Sequence, residues 1–427
     1  MIEQIALIVV IYLVGLALRL PVFFVVGAIT VVYAIVFPVM PPVVVGQLLT
    51  QGLDHGVLVA VPAFMLAGAL MNAGGITDRL VRVGLALFSP FRGGLAHANI
   101  GASILFGGIS GSAAADVSAV GSVMVPAMAR EGYPPAYAAA VTATSATIGL
   151  LIPPSLSMVF FGLFNNAPVD ALFIAGIVPG LLMGIYLLVV SVVIARRRGY
   201  PSTAFAGLGE VFAALRHSVL ALLMPVAIIL AMSKGLATVN EVASLSAVYA
   251  LLVSMLVYRS LRVRDLWPVV REAAIDSARL LSILAVAGGI RWILANMGAS
   301  EAMSESIAAA GLSRTALLAL VAALLVLIGT LVGPGVQIVL IAPAISPVMV
   351  GAGIDIVHFG VVCVLASAIG LVTPPVGLLL FLTSTQARVG VLAVVRESLP
   401  FTVALLVLLA SLVLFPSLSL GLGRLIG

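Results

Sequence analysis

Long apolar runs, cut at intervals by Gly, Pro and Arg, make up nearly the whole chain. They fall at 4–18, 22–37, 57–73, 95–108, 113–129, 136–150, 155–164, 171–195, 218–233, 240–258, 276–297, 315–331, 336–350, 357–371, 375–386 and 400–420. Runs of this kind predict an all-α chain whose helices break where Gly, Pro and charge interrupt them. A helix that spans a bilayer needs about 20 mostly apolar residues. Several runs are too short to cross alone, and the short ones come in pairs. The runs 95–108 and 113–129 flank Gly107-Gly108-Ile109-Ser110-Gly111-Ser112, and 136–150 and 155–164 flank Pro153-Pro154. The same two shapes return around Gly329 to Gly335 and around Pro374-Pro375.

Composition explains what surrounds these helices. Of 427 residues, 63% are hydrophobic and 8% charged, with a mean hydropathy of +1.31. Soluble domains run at roughly 45–50% apolar and about 25% charged, so the solvent for this chain is lipid. Nothing in the sequence suggests a soluble domain or a nucleic-acid-binding stretch, and 1–427 is read as one transmembrane domain. The apolar start, residues 1–18, is read as a first span and not a cleaved signal. The single cysteine, Cys363, lies in an apolar run and is read as a small hydrophobe. The net charge of +5 comes from arginines in short loops; in a membrane protein these report orientation. With Arg79, Arg82, Arg92, Arg130, Arg196–Arg198, Arg259, Arg262, Arg264, Arg271, Arg388 and Arg396 in the cytoplasm, the first short pair has both ends inside and the second pair, 315–331 and 336–350, both ends outside. Arg314 and Arg424 are exceptions on the outer side.

The halves also align at an offset of 221 residues, the separation of Gly108 from Gly329. At that offset Pro126 falls on Pro347, Met128 on Met349, Gly132 on Gly353, Ile148-Gly149-Leu150 on Ile369-Gly370-Leu371, and Pro153-Pro154 on Pro374-Pro375. The chain is therefore expected to be a polytopic membrane protein with inverted repeats, two opposed re-entrant helical hairpins and two interrupted helices. The repeat cores are placed at about 95–165 and 315–386, and scaffold helices at about 1–73, 171–297 and 400–420. Irregular backbone at membrane depth is tolerated only where protein or a water-filled cavity satisfies it. Half-helix amino ends suit anions, and half-helix carbonyl ends suit sodium.

The stretch from Gly107 through Asp116 to Pro126, followed by Gly132-Tyr133-Pro134-Pro135 and by Ile148 through Pro154, resembles the large permease subunit of TRAP (tripartite ATP-independent periplasmic) transporters, the DctM-like family. So does Leu371-Val372-Thr373-Pro374-Pro375-Val376-Gly377. The resemblance covers essentially the whole chain. It implies a fold like that of the ion transporter superfamily and ion-driven uptake of a small organic acid by an elevator-type movement, and the free carbonyls near 149–152 and 370–373 suit sodium as that ion. It implies no cofactor beyond sodium as the coupling ion. It implies two partners, a small four-helix membrane subunit, here expected as a separate chain, and a periplasmic substrate-binding protein. The implied location is the bacterial inner membrane. The sequence departs from the family pattern at Gly333, where many members carry aspartate, and near Asn296, where many carry arginine; Arg291 lies one turn earlier.

Candidate residues follow from the breaks. Ser110 and Ser112 at the first tip are candidates for sodium or substrate, and equally for a cap on the helix at 113–129. Asp116, one turn further, either lends charge to a cation or caps the tip through backbone amides. Intramembrane carboxylates are functional by default. The remaining cation candidates are the backbones at Gly108, Gly149, Gly329, Gly333 and Gly370, with Thr373. Substrate candidates are Ser110, Arg291, Asn296, Pro154 and Pro375. Thr144, Ser145 and Thr147 are read as back-bonding to their own helix, and His97, Asn99 and His358 as packing residues. Two other functions compete. An autonomous sodium-coupled anion carrier or antiporter shares the architecture. An intramembrane serine protease shares Gly108-x-Ser110-Gly111, but His97 is too far away to serve as its base.

Overall fold

The computed structural model describes residues 2–18, 20–37, 41–51, 56–202, 207–298, 301–302 and 311–426. The scaffold stretches 1–73 and 171–297 thus fall partly outside the described residues. Among the described residues the regular structure is entirely helical. Numbered in chain order, α1 (Ile2–Ala17), α2 (Val22–Val36), α3 (Pro42–Gln51), α4 (Ala60–Ala73) and α5 (Ile76–Phe88) come first. The first repeat follows with α6 (Gly94–Ser110), α7 (Ala113–Arg130), α8 (Pro135–Ala146, with a 3-10 turn to Leu150), α9 (Leu156–Asn165) and α10 (Val169–Arg198). Then come α11 (Leu208–Ser233), α12 (Val239–Val257) and α13 (Val263–Asn296). The second repeat has α14 (Arg314–Gly329), α15 (Pro334–Gly351), α16 (Ile356–Gly370), α17 (Leu378–Ala387) and α18 (Val391–Leu414). Helix α19 (Ser417–Ile426) ends the described chain.

Six helices among the described residues are long and apolar enough to cross a membrane: α10, α11, α12, α13, α15 and α18. The pair α4 and α5 forms one further candidate, bent by 68° at Gly74-Gly75. Most elements of the repeats are shorter, and their ends follow from local chemistry. Ser112 caps α7 by accepting from the Ala115 amide, and Ser155 caps α9 through the Met158 amide. Asp355 caps α16 through the amides of Val357 and His358. The breaks hold cis peptides at Pro153-Pro154 and Pro374-Pro375, at matching positions of the two halves.

The repeat extends past the cores expected at 95–165 and 315–386. Pro179 within α10 and Pro400 within α18 are also 221 residues apart. Arg198 at the end of α10 pairs with Glu397 of α18 at 2.9 Å. Each repeat also hands the second half of its broken helix to the other. Gln386 at the end of α17 donates to the Val117 carbonyl of α7 at 2.9 Å. Asn165 at the end of α9 accepts from Ser346 of α15 at 2.5 Å. Asn165 and Gln386 stand at equivalent positions, so the exchange is reciprocal.

Helix α5 falls between the apolar runs 57–73 and 95–108. It is amphipathic: Ile76, Leu80 and Val83 are buried, while Asp78 and Arg82 are exposed. A search for unbroken apolar runs passes over such a helix because half its surface is polar. It packs along α6, and Gly84 lets the Ala98 carbonyl come where a Cβ would stand at 2.7 Å. Helix α13 starts at Val263, well before the run at 276, because Arg271, Glu272 and Asp276 interrupt apolarity without interrupting the helix.

Candidate functional site

In each repeat the end of the first hairpin arm crosses the broken helix at a pair of glycines. A Cβ on Gly107 would lie 2.8 Å from the Gly149 Cα. In the second repeat a Cβ on Gly370 would lie 2.3 Å from the Gly329 carbonyl carbon and 2.6 Å from its Cα. Real Cβ atoms do not approach so closely, so these backbones touch because neither residue has a side chain. Gly149, Gly329 and Gly370 of the cation candidates are thus at the crossings. Gly108 is not: it faces Pro225 of α11 and Ile152, and its neighbour Gly107 makes the contact. The first hairpin arms are therefore one residue out of step with the 221-residue offset that the second arms and the breaks obey. The first tip is closed on its break, since a Cβ on Gly111, with φ +60°, would lie 2.2 Å from the Pro154 carbonyl oxygen. The second tip is open among the described residues. A Cβ on Gly333 or on Gly335 would meet none of the described residues within 4 Å. Pro153 and Pro154 are buried, whereas Pro374 and Pro375 are exposed.

Asp116 is fully buried, with 0% exposure. Its Oδ1 accepts from the Ser103 hydroxyl of α6 at 3.0 Å, and Ser103 lies 3.0 Å from the Ser145 hydroxyl of α8. The Ser145 hydroxyl also donates to the Thr142 carbonyl of its own helix at 3.3 Å. Oδ2 has no hydrogen-bond partner among the described residues. The carboxylate side chain therefore does not cap the tip through backbone amides; Ser112 does the capping. Ser110 accepts weakly from the Ser112 amide at 3.4 Å. Thr373 donates to the Ile369 carbonyl at 2.7 Å, and Ser155 donates to the Leu150 carbonyl at 2.5 Å, so some break carbonyls already hold one hydrogen bond. A carbonyl oxygen has two lone pairs, so such an oxygen still has one for a cation.

A residue that inspection of the breaks passed over is Gln337. It is 0% exposed and stands 221 residues after Asp116. Its amide nitrogen donates to the Leu325 carbonyl at 2.9 Å, and its Oε1, unpartnered among the described residues, points at the Gly329 crossing, 2.9 Å from the Cβ position there. Each repeat thus buries an oxygen-bearing side chain with one uncommitted oxygen, in the first turns of its second hairpin arm. The offset itself was the signal for it.

Arg291 of α13 places its guanidinium 5.0 Å from the centre of the Phe164 ring on α9, and its Nε has no partner among the described residues. Helix α13 also packs on the start of α15 beside the open second tip. Asn296 is exposed at the end of α13. Among the packing residues, His358 bonds Ser419 at 2.7 Å and Asn99 donates to Thr142 at 2.7 Å. Thr144 donates to the carbonyls of its own helix.

Crossed hairpins and broken helices in an inverted pair, set among long apolar helices, define a multi-span membrane transport protein. The chain matches the family model of the DctM component of the tripartite ATP-independent periplasmic transporters over residues 9–418, and it belongs to that family. It is 37% identical to the C4-dicarboxylate TRAP transporter large permease protein DctM of Pseudomonas aeruginosa over 374 residues, 88% of each chain. It is 35% identical, over the same length and shares, to the sialic acid TRAP transporter large permease protein SiaM of Vibrio cholerae. Its fold resembles that of the Alcanivorax borkumensis YdaH transporter, with a TM-score of 0.63 at 14% identity, covering 89% of this chain and 88% of that one. The chain is a large permease and not an enzyme, which removes the protease alternative.

Proposed function

We propose that this permease drives uptake of a small organic anion with a sodium gradient across the bacterial inner membrane. The two repeat cores move as an elevator against a scaffold built from α1–α5 and α11–α13. A separate small membrane subunit completes the scaffold, and a periplasmic binding protein delivers the solute. The observation that carries this reading is the matched pair of glycine crossings. They bring half-helix ends together beside the hairpin tips, and each repeat buries a side-chain oxygen in the first turns of its second arm, on Asp116 and on Gln337, the latter beside the Gly329 crossing. Oxygen ligands of this kind suit a hard cation better than a proton. Among the site residues, Asp116, Gly149, Gly329, Gly370 and Thr373 surround the proposed cation positions, with Ser110 and Ser112 beside the first.

The substrate class follows from Arg291. An arginine without an ion-pair partner among the described residues, in a membrane-crossing helix, is costly unless a carboxylate or partner joins it. The open second tip beside it, with Gly333 and Pro375, leaves room for the solute, and Asn296 lies further along the same helix. Dicarboxylates and sialic acid, the solutes named for the relatives, are both carboxylates and fit a single guanidinium. Proteoliposomes holding the permease and its small subunit, with the binding protein outside, test the proposal. Uptake should fall to background when sodium is replaced by potassium at constant pH, and when the binding protein is left out. Full uptake in potassium would remove sodium as the driving ion. Saturable uptake without the binding protein would favour an autonomous carrier.

A further inference from the structure

At one corner of the scaffold three elements meet: the start of α5, the middle of the first half of α11, and the turn from α12 into α13. The corner is tied together from inside. The Arg79 guanidinium lies 3.8 Å over the Tyr258 ring and also donates to the Gly74 and Gly75 carbonyls. Ser218 of α11 donates to the Arg79 carbonyl at 3.2 Å, and Ser260 of the turn donates to the Gly74 carbonyl at 2.6 Å. Around this knot Arg82, Arg216, Arg259, Arg262 and Arg264 are all exposed. Of these five, only Arg264 has an ion-pair partner among the described residues, the neighbouring Asp265 at 3.6 Å, and the other acids in these segments are Asp78 and Glu210, neither paired with an arginine of the corner among the described residues. Four exposed guanidinium groups without ion-pair partners among the described residues thus share one fixed platform. Large apolar side chains flank them within about one turn: Phe212 is 70% exposed, Val263 73% and Trp267 73%.

We infer that this corner binds the headgroup phosphates of anionic phospholipid in the cytoplasmic leaflet. Arginine forks match phosphate oxygens bidentately. Exposed aromatic side chains beside them suit the boundary between headgroup and acyl chain, where tryptophan is enriched. A water-facing surface would not set Phe212, Val263 and Trp267 among the charges, and a purely lipid-tail surface would not carry four unpaired arginines. The lipid would hold the scaffold at a fixed depth while the rest of the molecule moves. The inference rests on the arginine-bearing face being cytoplasmic and stands whichever ion drives transport.

The chain has two tryptophans, Trp267 and Trp292. In the full-length Trp292→Phe protein, Trp267 is the only tryptophan and reports the lipid beside it. The protein is reconstituted with brominated phosphatidylglycerol or brominated phosphatidylcholine as a minor component in unlabelled phosphatidylcholine. Trp267 fluorescence should be quenched at a lower mole fraction of the brominated phosphatidylglycerol. Each arginine near an anionic surface raises partitioning roughly fivefold, so Arg259→Gln/Arg262→Gln/Arg216→Gln should remove most of the preference. The matching triple lysine variant should keep part of it, which separates charge loss from misfolding. Equal quenching by the two lipids would overturn the inference and leave the arginines as topology signals only. No quenching by either would overturn it too, showing a surface covered by protein or water. Relief of quenching by millimolar inorganic phosphate would show a site for free phosphate in place of lipid.

Discussion

Gly370→Ala offers the sharpest test of the crossing. The new Cβ would stand 2.3 Å from the Gly329 carbonyl carbon and 2.6 Å from both its Cα and its oxygen. Ordinary contact begins near 3.4 Å, so α14 and α16 must part by about 1 Å, or the 370–373 turn must rotate. Overpacking of this kind costs about 1–3 kcal/mol, and here the obstacle is backbone, which yields less than a side chain. The effect on a cation site is larger than that on stability, because metal–oxygen distances tolerate only about 0.2 Å. A displacement of the Gly329 and Gly370 carbonyls by about 1 Å would remove them as ligands. The expected outcome is a protein that inserts and purifies, melts a few degrees lower, and shows a sodium dependence weakened by an order of magnitude or more. Gly333→Ala is the internal control, since its Cβ meets nothing within 4 Å among the described residues. It should match the wild type in melting, and any loss of uptake should show as a higher substrate requirement. Sodium-dependent uptake across a concentration series, with thermal melting in detergent, reads both. Wild-type sodium dependence in Gly370→Ala would refute a cation site at the second crossing.

Asp116→Asn keeps the shape and the Ser103 bond but removes the charge; uptake should be lost while insertion and melting persist, and Ser118→Ala, on the exposed side of the same helix, should leave both unchanged. Normal uptake by Asp116→Asn would reduce Asp116 to a packing residue. Arg291→Gln should raise the half-saturating concentration of a carboxylate solute at least tenfold with little change in melting, since among the described residues the guanidinium makes a ring contact and its Nε no hydrogen bond; unchanged saturation would place the anion elsewhere. Gln386→Ala deletes the bond that joins α17 to the Val117 carbonyl and should cost about 1 kcal/mol of stability, read as a lower melting temperature; no change would show that the exchange between repeats rests on packing alone.

Much of this molecule is legible as a string of residues, because in lipid the breaks are the information. A helix can stop at membrane depth only where the chain supplies Gly, Pro and capping side chains. Ser112, Pro153-Pro154 and Pro374-Pro375 therefore announce the hairpins and interrupted helices directly. The inverted pairing followed from arginine placement and the 221-residue offset. Helix α5 was not legible to a scan for apolar runs, since its polar face hides it, although its i, i+4, i+7 pattern was in the letters. What tertiary structure alone decided was which atoms meet. Gly107 and Gly108 are adjacent and chemically identical, yet only Gly107 faces Gly149, because helix rotation and not residue type selects the contact. Asp116 and Gln337 differ in charge and stand at the same position of the repeat, but that each is buried with one uncommitted oxygen among the described residues is decided by packing. Among the described residues the first tip is sealed on Pro154 and the second stands open, although the two carry similar glycines. That asymmetry belongs to the packing of each hairpin against its break, which depends on atoms distant in sequence and so is written in no local motif.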